Sequence, residues 1–342
     1  MLYATTRSKS ETYTAYRALH EDLAPDGGAF VPFKMPKFTL QQLDQMSGQS
    51  FGETMAQILN IFFSARLTGW DIDCCIGKSA VKISAMSRRV ILAELWNNPH
   101  GDFAYTIDIL YQKLCGDTPE GKPTQWAKIA IYIAVLFAAL LPLRNQGMRT
   151  VDICVNSGDF LVPMAAWYAR NMGLPLGTII CSCNENSTAW DFLHRGELNT
   201  GAATVHTTMK ALDVSHPAGL ERLIFATLGF DENRKYLEAA ARRGVYQIRP
   251  DMVEQVSAGM FVSVVGKDRV VPLISSVYRS NDFVLDPYTA ISYGGLQDYR
   301  AKTGESHPTV LLWQHSPMRF FDMVQNATGL AELDIEEKLN RN

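Results

Sequence analysis

The sequence of 342 residues has no excess of charge of either sign: its net charge is −3 and its pI is about 6.2. Lysine and arginine are scattered, and the densest group, Arg234-Lys235 with Arg242-Arg243, has the spacing of one exposed helix face. A polyanion partner is therefore not expected, and nucleic acid is excluded as the natural ligand. The six cysteines lack zinc spacing: Cys74-Cys75 are adjacent and Cys181 and Cys183 are one residue apart. Cys154 and Cys181 sit in apolar runs and read as small buried hydrophobes. Free thiols point to a reducing, cytoplasmic setting. The N-terminus has no apolar signal core, and the most apolar run, residues 129–143, falls short of the roughly 20 residues that span a bilayer. No membrane role is expected, and that run reads as a buried core helix. No internal repeat or low-complexity tract occurs. The serine-hydrolase, P-loop and zinc-protease signatures G-x-S-x-G, G-x-x-x-x-G-K-(S/T) and H-E-x-x-H are all missing.

What is present is a strand–turn–helix unit over residues 151–175. Val151, Ile153 and Val155 alternate as a short strand, Asn156-Ser157-Gly158-Asp159 is turn chemistry, and residues 160–172 carry apolar groups at helical spacing until Gly173 and Pro175. A strand entering a helix through such a turn can present free N–H groups to an anion. Most turns of this kind bind nothing.

Around this unit the hydrophobic pattern predicts strands at residues 2–5, 29–31, 90–95, 176–183 and 309–313. Helices are expected at 12–21, 39–46, 50–63, 71–83, 105–114, 126–143, 187–195, 217–228, 230–243, 250–260 and 317–328. Residues 200–214 read as loop, 267–279 as a helix fragment at best, and a further helix starts within 284–293. Strands alternating with helices give an α/β class with a largely parallel sheet. The expected division is a helical region with short strands at 1–90 and an α/β core at 91–342.

Several stretches, in order, resemble threonine synthase, a pyridoxal-phosphate enzyme of fold type II, the tryptophan-synthase-β-like group. Leu23 to Pro32 (LAPDGGAFVP) is similar to the family signature L-A-P-D-G-G-L-(F/Y)-V-P. Ser157-Gly158-Asp159-Phe160, then Trp167-Tyr168-Ala169 and Met172-Gly173-Leu174-Pro175, resemble T-G-N-F-G-N … Y-Y-A … M-G-L-P. Asn184-Glu185-Asn186 matches N-x-N. Asp213 with Leu220-Glu221-Arg222 resembles M-D-I … S-N-(L/F)-E-R, Asp286 to Ala290 resembles D-P-H-T-A, and His315 to Phe320 stands at A-H-P-x-K-F. The resemblance implies a large domain of that fold and conversion of O-phospho-homoserine to threonine. It also implies cofactor contacts at Ser157, Gly158, Asp159, Asn184 and Asn186.

The departures fall on the chemistry. The family's Schiff-base lysine lies in H-G-P-T-x-A-F-K-D; here Phe103 holds the register and Ala104 stands at the lysine. Alanine can form no Schiff base and move no substrate proton. Leu161 and Val162 replace a glycine and an asparagine of the phosphate loop, removing the close backbone approach. Trp313-Gln314 replaces the polar pair facing the pyridine nitrogen. The small domain is reduced to a linker near residues 115–124.

Each remaining candidate has a plain reading beside the functional one. Ser157 and Asp159 either serve an anion or satisfy the turn. His315 is a ligand or base, or a satisfied interior histidine; His100 is a reactive or an ordinary loop histidine. His20-Glu21-Asp22 reads as a helix end, and Glu221-Arg222 as structural charge pairs. Three functions follow: a catalytically silent relative with a binding, scaffolding or regulatory role, its cofactor lost; a working phospholyase or synthase using Lys78, Lys82, Lys113, Lys122, Lys128 or a partner's lysine; or a small-anion binder. A homo- or hetero-oligomer is expected to cover the 129–143 helix.

Overall fold

The computed structural model describes residues 1–77, 81–116 and 121–341. Three strands, β1 (Leu2–Thr5), β2 (Tyr13–Thr14) and β3 (Phe30–Pro32), form a small antiparallel sheet in the order β2-β1-β3. The central sheet is built from β4 (Lys82–Ser87), β5 (Val90–Glu94), β6 (Val151–Asn156) and β7 (Leu176–Cys183). A strand pair, β8 (Glu197–Asn199) and β9 (Val245–Gln247), stands apart. The last two strands of the central sheet are β10 (Met260–Val264) and β11 (Thr309–Trp313). Its order is β10-β7-β6-β11-β5-β4, parallel throughout except for β4, which returns antiparallel beside β5. β5, β6, β7 and β11 are almost continuously buried, as strands covered on both faces must be.

Local chemistry explains the helices that the sequence makes legible. Ser50 and Glu53 close a reciprocal capping box, and Met55, Ile58, Leu59 and Phe62 then face the core along Phe51–Phe63. The Phe230–Arg243 helix has the expected bounds.

Four expectations change. The 71–83 helix ends at Ile76; the end of that stretch becomes strand β4, whose conformation comes from pairing with β5 (Lys82 opposite Glu94, Ile83 opposite Ala93). This strand carries the central sheet across the division expected at residue 90. The helix begun at Pro250 stops at Ser257, Gly259 takes φ +69°, and residues 260–264 leave as strand β10 beside β7. The stretch read as a fragment is a full helix, Lys267–Asn281; it carries Pro272 in its interior and is held by the buried stripe Val270, Leu273, Ile274 and Val277. Residues 12–14 are extended, so the first helix is only Ala15–His20.

The apolar helix Gln125–Leu140 continues through a 3₁₀ turn, Leu141–Gln146. By length and composition the 22-residue run could cross a membrane, but its most apolar window is 89% buried inside this chain. It packs against Phe51–Phe63 on one side and Leu161–Asn171 on the other. The expectation that a second subunit covers residues 129–143 loses its premise: the chain buries that helix by itself. Residues 78–80 of the expected third helix and 117–120 of the linker lie outside the described residues.

Candidate functional site

Parallel strands align their carboxyl ends along one edge, and there the sheet gathers the candidate residues. β5 leads to Ala104, β6 to Ser157–Phe160, β7 to Asn184–Asn186, and β11 to Gln314 and His315.

The turn after β6 is tightly built. The Ser157 N–H donates to Ser182 O at 2.8 Å, and the Phe160 N–H donates to Ser157 O at 2.6 Å. Gly158 has φ +43°, and a Cβ there would stand 3.1 Å from Ala211 O. Phe160 is fully buried and sits in the left-handed region (φ 64°, ψ 12°), a conformation that costs a non-glycine residue about 1–3 kcal/mol unless its surroundings enforce it. The enforcing contact is Gly219, whose N–H donates to Asp159 O at 2.9 Å and which lies flush against the Phe160 carbonyl.

Several N–H groups of this turn are already committed. Asp159 Oδ1 accepts from Leu161 N–H at 3.1 Å, Pro163 has no N–H to give, and Met164 N–H turns back to Phe160 O at 3.2 Å. The helix end therefore carries its own carboxylate where a ligand phosphate would sit. Burial pushes the Asp159 pKa up, against the Leu161 N–H and the charges of Lys128 and Arg222. Asp159 thus caps the turn. The role of Pro163 escaped the sequence reading, although a proline in the first helical turn was the available signal. Leu161 is buried, and Val162 packs against the core.

Tyr132 links this loop to β11. It is buried, its ring centroid lies 5.2 Å from that of Phe103, and its hydroxyl donates to Gln314 Oε1. Burial and the Asp159 charge both raise its pKa. Gln314, at the pyridine-facing position, is thereby occupied within the chain.

Ala104 is exposed in the first turn of Phe103–Cys115, its N–H donating to Asp102 Oδ1 at 2.9 Å. Asp102 also pairs with Arg319, and His315 Nδ1 lies 3.3 Å from Asp102 Oδ1, an ion-pair distance without hydrogen-bond geometry. The His315 ring rests 4.7 Å from Tyr288; burial lowers its pKa and the Asp286 carboxylate opposes that. His100 stays in its exposed loop, its ring centroid 4.1 Å from that of Tyr105 and tilted 43° to it.

The substitute lysines are scattered. Lys82 faces Glu94 across the sheet edge, Lys113 is paired with Asp71 at 2.8 Å, and Lys122 is exposed. Lys128 is the candidate whose charge acts on Asp159. Lys78 lies outside the described residues.

Asn184 and Asn186 hold a neighbouring loop. Asn184 Nδ2 donates to Asp213 Oδ1 at 2.8 Å and to Thr207 Oγ1 at 3.2 Å, while its Oδ1 accepts both the N–H and the Nδ2 of Asn186 at 3.0 Å. Asn186 Nδ2 also donates to Val205 O at 2.9 Å. Ser157, Asn184 and Asn186 are all buried.

Glu221 pairs with Arg7 at 3.0 Å, but Arg222 does not form the expected charge pair. Its Nε donates to Phe30 O and its Nη1 to Gln125 Oε1, with no carboxylate among its hydrogen-bond partners. Glu21 ends its helix as expected. All six cysteines are free, and Cys154 and Cys181 are buried. Among the described residues no group of three or more His, Cys, Asp or Glu side chains is placed to hold a metal.

Ala104 stands where the resemblance would put the anchoring lysine of a pyridoxal phosphate, and the helix end after β6 carries the Asp159 carboxylate and the N–H-less Pro163. No chemical step is derived through the cofactor.

Residues 2–80 match the family described as threonine synthase N terminus. The threonine synthase of Corynebacterium glutamicum is 26% identical over 214 residues, 60% of this chain and 44% of the relative. That of Pseudomonas aeruginosa is 28% identical over 205 residues, 59% of this chain and 43% of the relative. Human threonine synthase-like 1 is 25% identical over 174 residues, 49% and 23% respectively. The chain thus spans less than half the length of these relatives. The fold superposes on pyridoxal-phosphate-bound threonine synthase from Brucella melitensis with a TM-score of 0.83 (20% identity, 96% of this chain and 92% of that one). It superposes on the yeast enzyme with a TM-score of 0.84 (18% identity, 99% and 94%).

Proposed function

We propose that this chain, which belongs to the threonine synthase family, keeps the family scaffold without Schiff-base catalysis and serves as a binding, scaffolding or regulatory protein. The observation that carries this reading is Ala104: the position that should hold the cofactor is an exposed alanine on a helix turn capped by Asp102. Asp159 and Pro163 support it, since Asp159 takes the Leu161 N–H and Pro163 removes one donor from the first helical turn. The residues that make the fold persist while those that make the chemistry are exchanged. Six free thiols suit a reducing cytoplasm.

A second reading, a working enzyme, has one observation in its favour: Lys128 exerts its charge on the turn through Asp159. The test is to incubate the purified protein with pyridoxal phosphate, record the visible spectrum, reduce with borohydride and map the labelled peptide. The silent reading expects no aldimine band and no stoichiometric label. A band trapped on Lys128 and lost in Lys128→Met would refute it.

A further inference from the structure

Glu94 ends β5 with its carboxylate inside the fold; the residue is 4% exposed. Its Oε1 accepts the Ser84 hydroxyl at 2.8 Å, whereas its Oε2 accepts no hydrogen bond. Lys82 stands opposite across the β4–β5 pair and acts on Glu94 by its charge without forming an ion pair. Burial raises the Glu94 pKa against both of these influences. Buried charges in proteins are paired as a rule, because an unpaired one forfeits its hydration.

The direction of this side chain follows from the strand. The chain stays extended past β5, where the Leu95 N–H donates to Trp313 O at 2.7 Å. Ala93 and Leu95 pack into one core cluster, Leu92 and Trp96 into another, so Glu94 projects on the Leu92–Trp96 face. On that face lies a cavity of about 520 Å³ between the β4–β5 edge, the turn Pro317–Phe320 and the helix Glu332–Arg341. Lys82, Glu94 and Trp96 line it from the sheet, and Met318, Glu336 and Leu339 from the opposite side. The Glu94 Oε2 is not among the polar atoms sealed from solvent without a partner, so the free oxygen opens onto this space. Glu94 is at its floor, and the exposed Glu336 is at its rim. The half-buried Trp96 ring is braced by Trp313, with 5.5 Å between the ring centroids. Two carboxylates against one lysine leave the described lining net negative, and an indole face adds to the attraction for a cation.

We propose that this cavity binds a small primary amine with a flat apolar body. The ammonium would donate to Glu94 Oε2, and the body would lie against Trp96, Met318 and Leu339. Neither Ala104 nor the β6 turn lines the cavity, so this proposal and the silent-enzyme reading can fail independently.

The test titrates the intact chain with phenethylamine by calorimetry and follows the melting temperature, with phenethyl alcohol and phenylacetate as neutral and anionic matches. Phenethylamine should saturate and raise the melting temperature, the alcohol should bind about tenfold more weakly, and phenylacetate more weakly still. Glu94→Gln keeps an acceptor for the Ser84 hydroxyl; it should weaken the amine about tenfold and leave the alcohol nearly unchanged. Glu336→Lys alters an exposed rim position, so the fold should be untouched, and it should weaken the amine about threefold or more. Equal affinity for the amine and the alcohol, phenethylamine binding at parent strength in both variants, or no saturation by about 10 mM phenethylamine would each overturn the assignment.

Discussion

Gly219→Ala sets two physical effects against each other, and the structure decides the sign. Gly219 opens the Gly219–Leu228 helix and has ordinary negative φ, so by propensity alone alanine should stabilise the helix by up to about 1 kcal/mol. A Cβ at this position, however, would stand 2.6 Å from the carbonyl carbon of Phe160 and closer still to its oxygen. These are backbone atoms of a residue already held left-handed, so they cannot swing aside as a side-chain end would. Forcing atoms into packed space costs about 1–3 kcal/mol, and the Gly219 N–H to Asp159 O hydrogen bond is weakened with it. The net expectation is a loss of about 1–2 kcal/mol, a melting temperature lower by about 1–3 °C for a chain of this length. Gly48→Ala is the control: its nearest neighbour would be 3.7 Å away, and a change within about 0.5 kcal/mol is expected. Calorimetry of both variants is the assay. If Gly219→Ala melts at or above the parent temperature, the close packing of this helix on the β6 turn is wrong, and with it the account of what holds Phe160 left-handed.

The remaining expectations concern the same edge of the sheet and the helix beneath it. Asn184→Ala leaves Asp213 and Asn186 short of partners and should cost about 2–3 kcal/mol, with hydrogen exchange at Val205 and Thr207 accelerating more than in the core. Burial pulls the Asp213 pKa up, but the hydrogen bonds from Thr207 and Asn184 outweigh it and leave the pKa below the ordinary aspartate value. The stability it contributes is therefore present above that ordinary value and lost as pH falls toward the depressed one; Asp213→Asn should flatten the acid limb of a melting-temperature profile. Asp159 has the opposite sign. Its pKa is raised, so its contribution is most favourable below the ordinary aspartate range and declines as pH rises through the folded value; Asp159→Asn should remove that decline and strengthen inorganic phosphate binding, read by calorimetric titration. Ile133→Ala should cost about 2–5 kcal/mol, and by the same amount from about 1 to 100 µM protein, since its helix is buried within one chain; a loss that shrinks at high concentration would restore the partner subunit.

What could be read from the sequence follows the range of the forces involved. Phe51–Phe63 and Phe230–Arg243 are fixed by local signals, a capping box and an amphipathic stripe, and both were legible. β4 and β10 were not. K-I-S-A-M-S and M-F-V-S-V carry no turn pair or clean alternation, and each takes strand conformation from a neighbour distant or adjacent in the chain. The Lys267–Asn281 helix was underestimated because Pro272 is a local breaker; four buried side chains offset one missing hydrogen bond.

The candidate site divides along the same line. That Ala104 cannot anchor a cofactor is a matter of residue type and needed no structure. That Leu161 and Val162 would by themselves disable the phosphate loop was the weaker argument, for Leu161 points into the core and does not fill the turn. Asp159 and Pro163 bear on the turn more directly, because an anion site at a helix end is made of N–H groups: Asp159 takes that of Leu161 and Pro163 has none. Asp159 differs from the asparagine of the family pattern by one oxygen in place of one nitrogen. That exchange supplies a negative charge at the point where the helix would otherwise receive one, so the turn keeps its shape and satisfies itself. The left-handed Phe160 and its Gly219 contact then hold the turn without any bound anion.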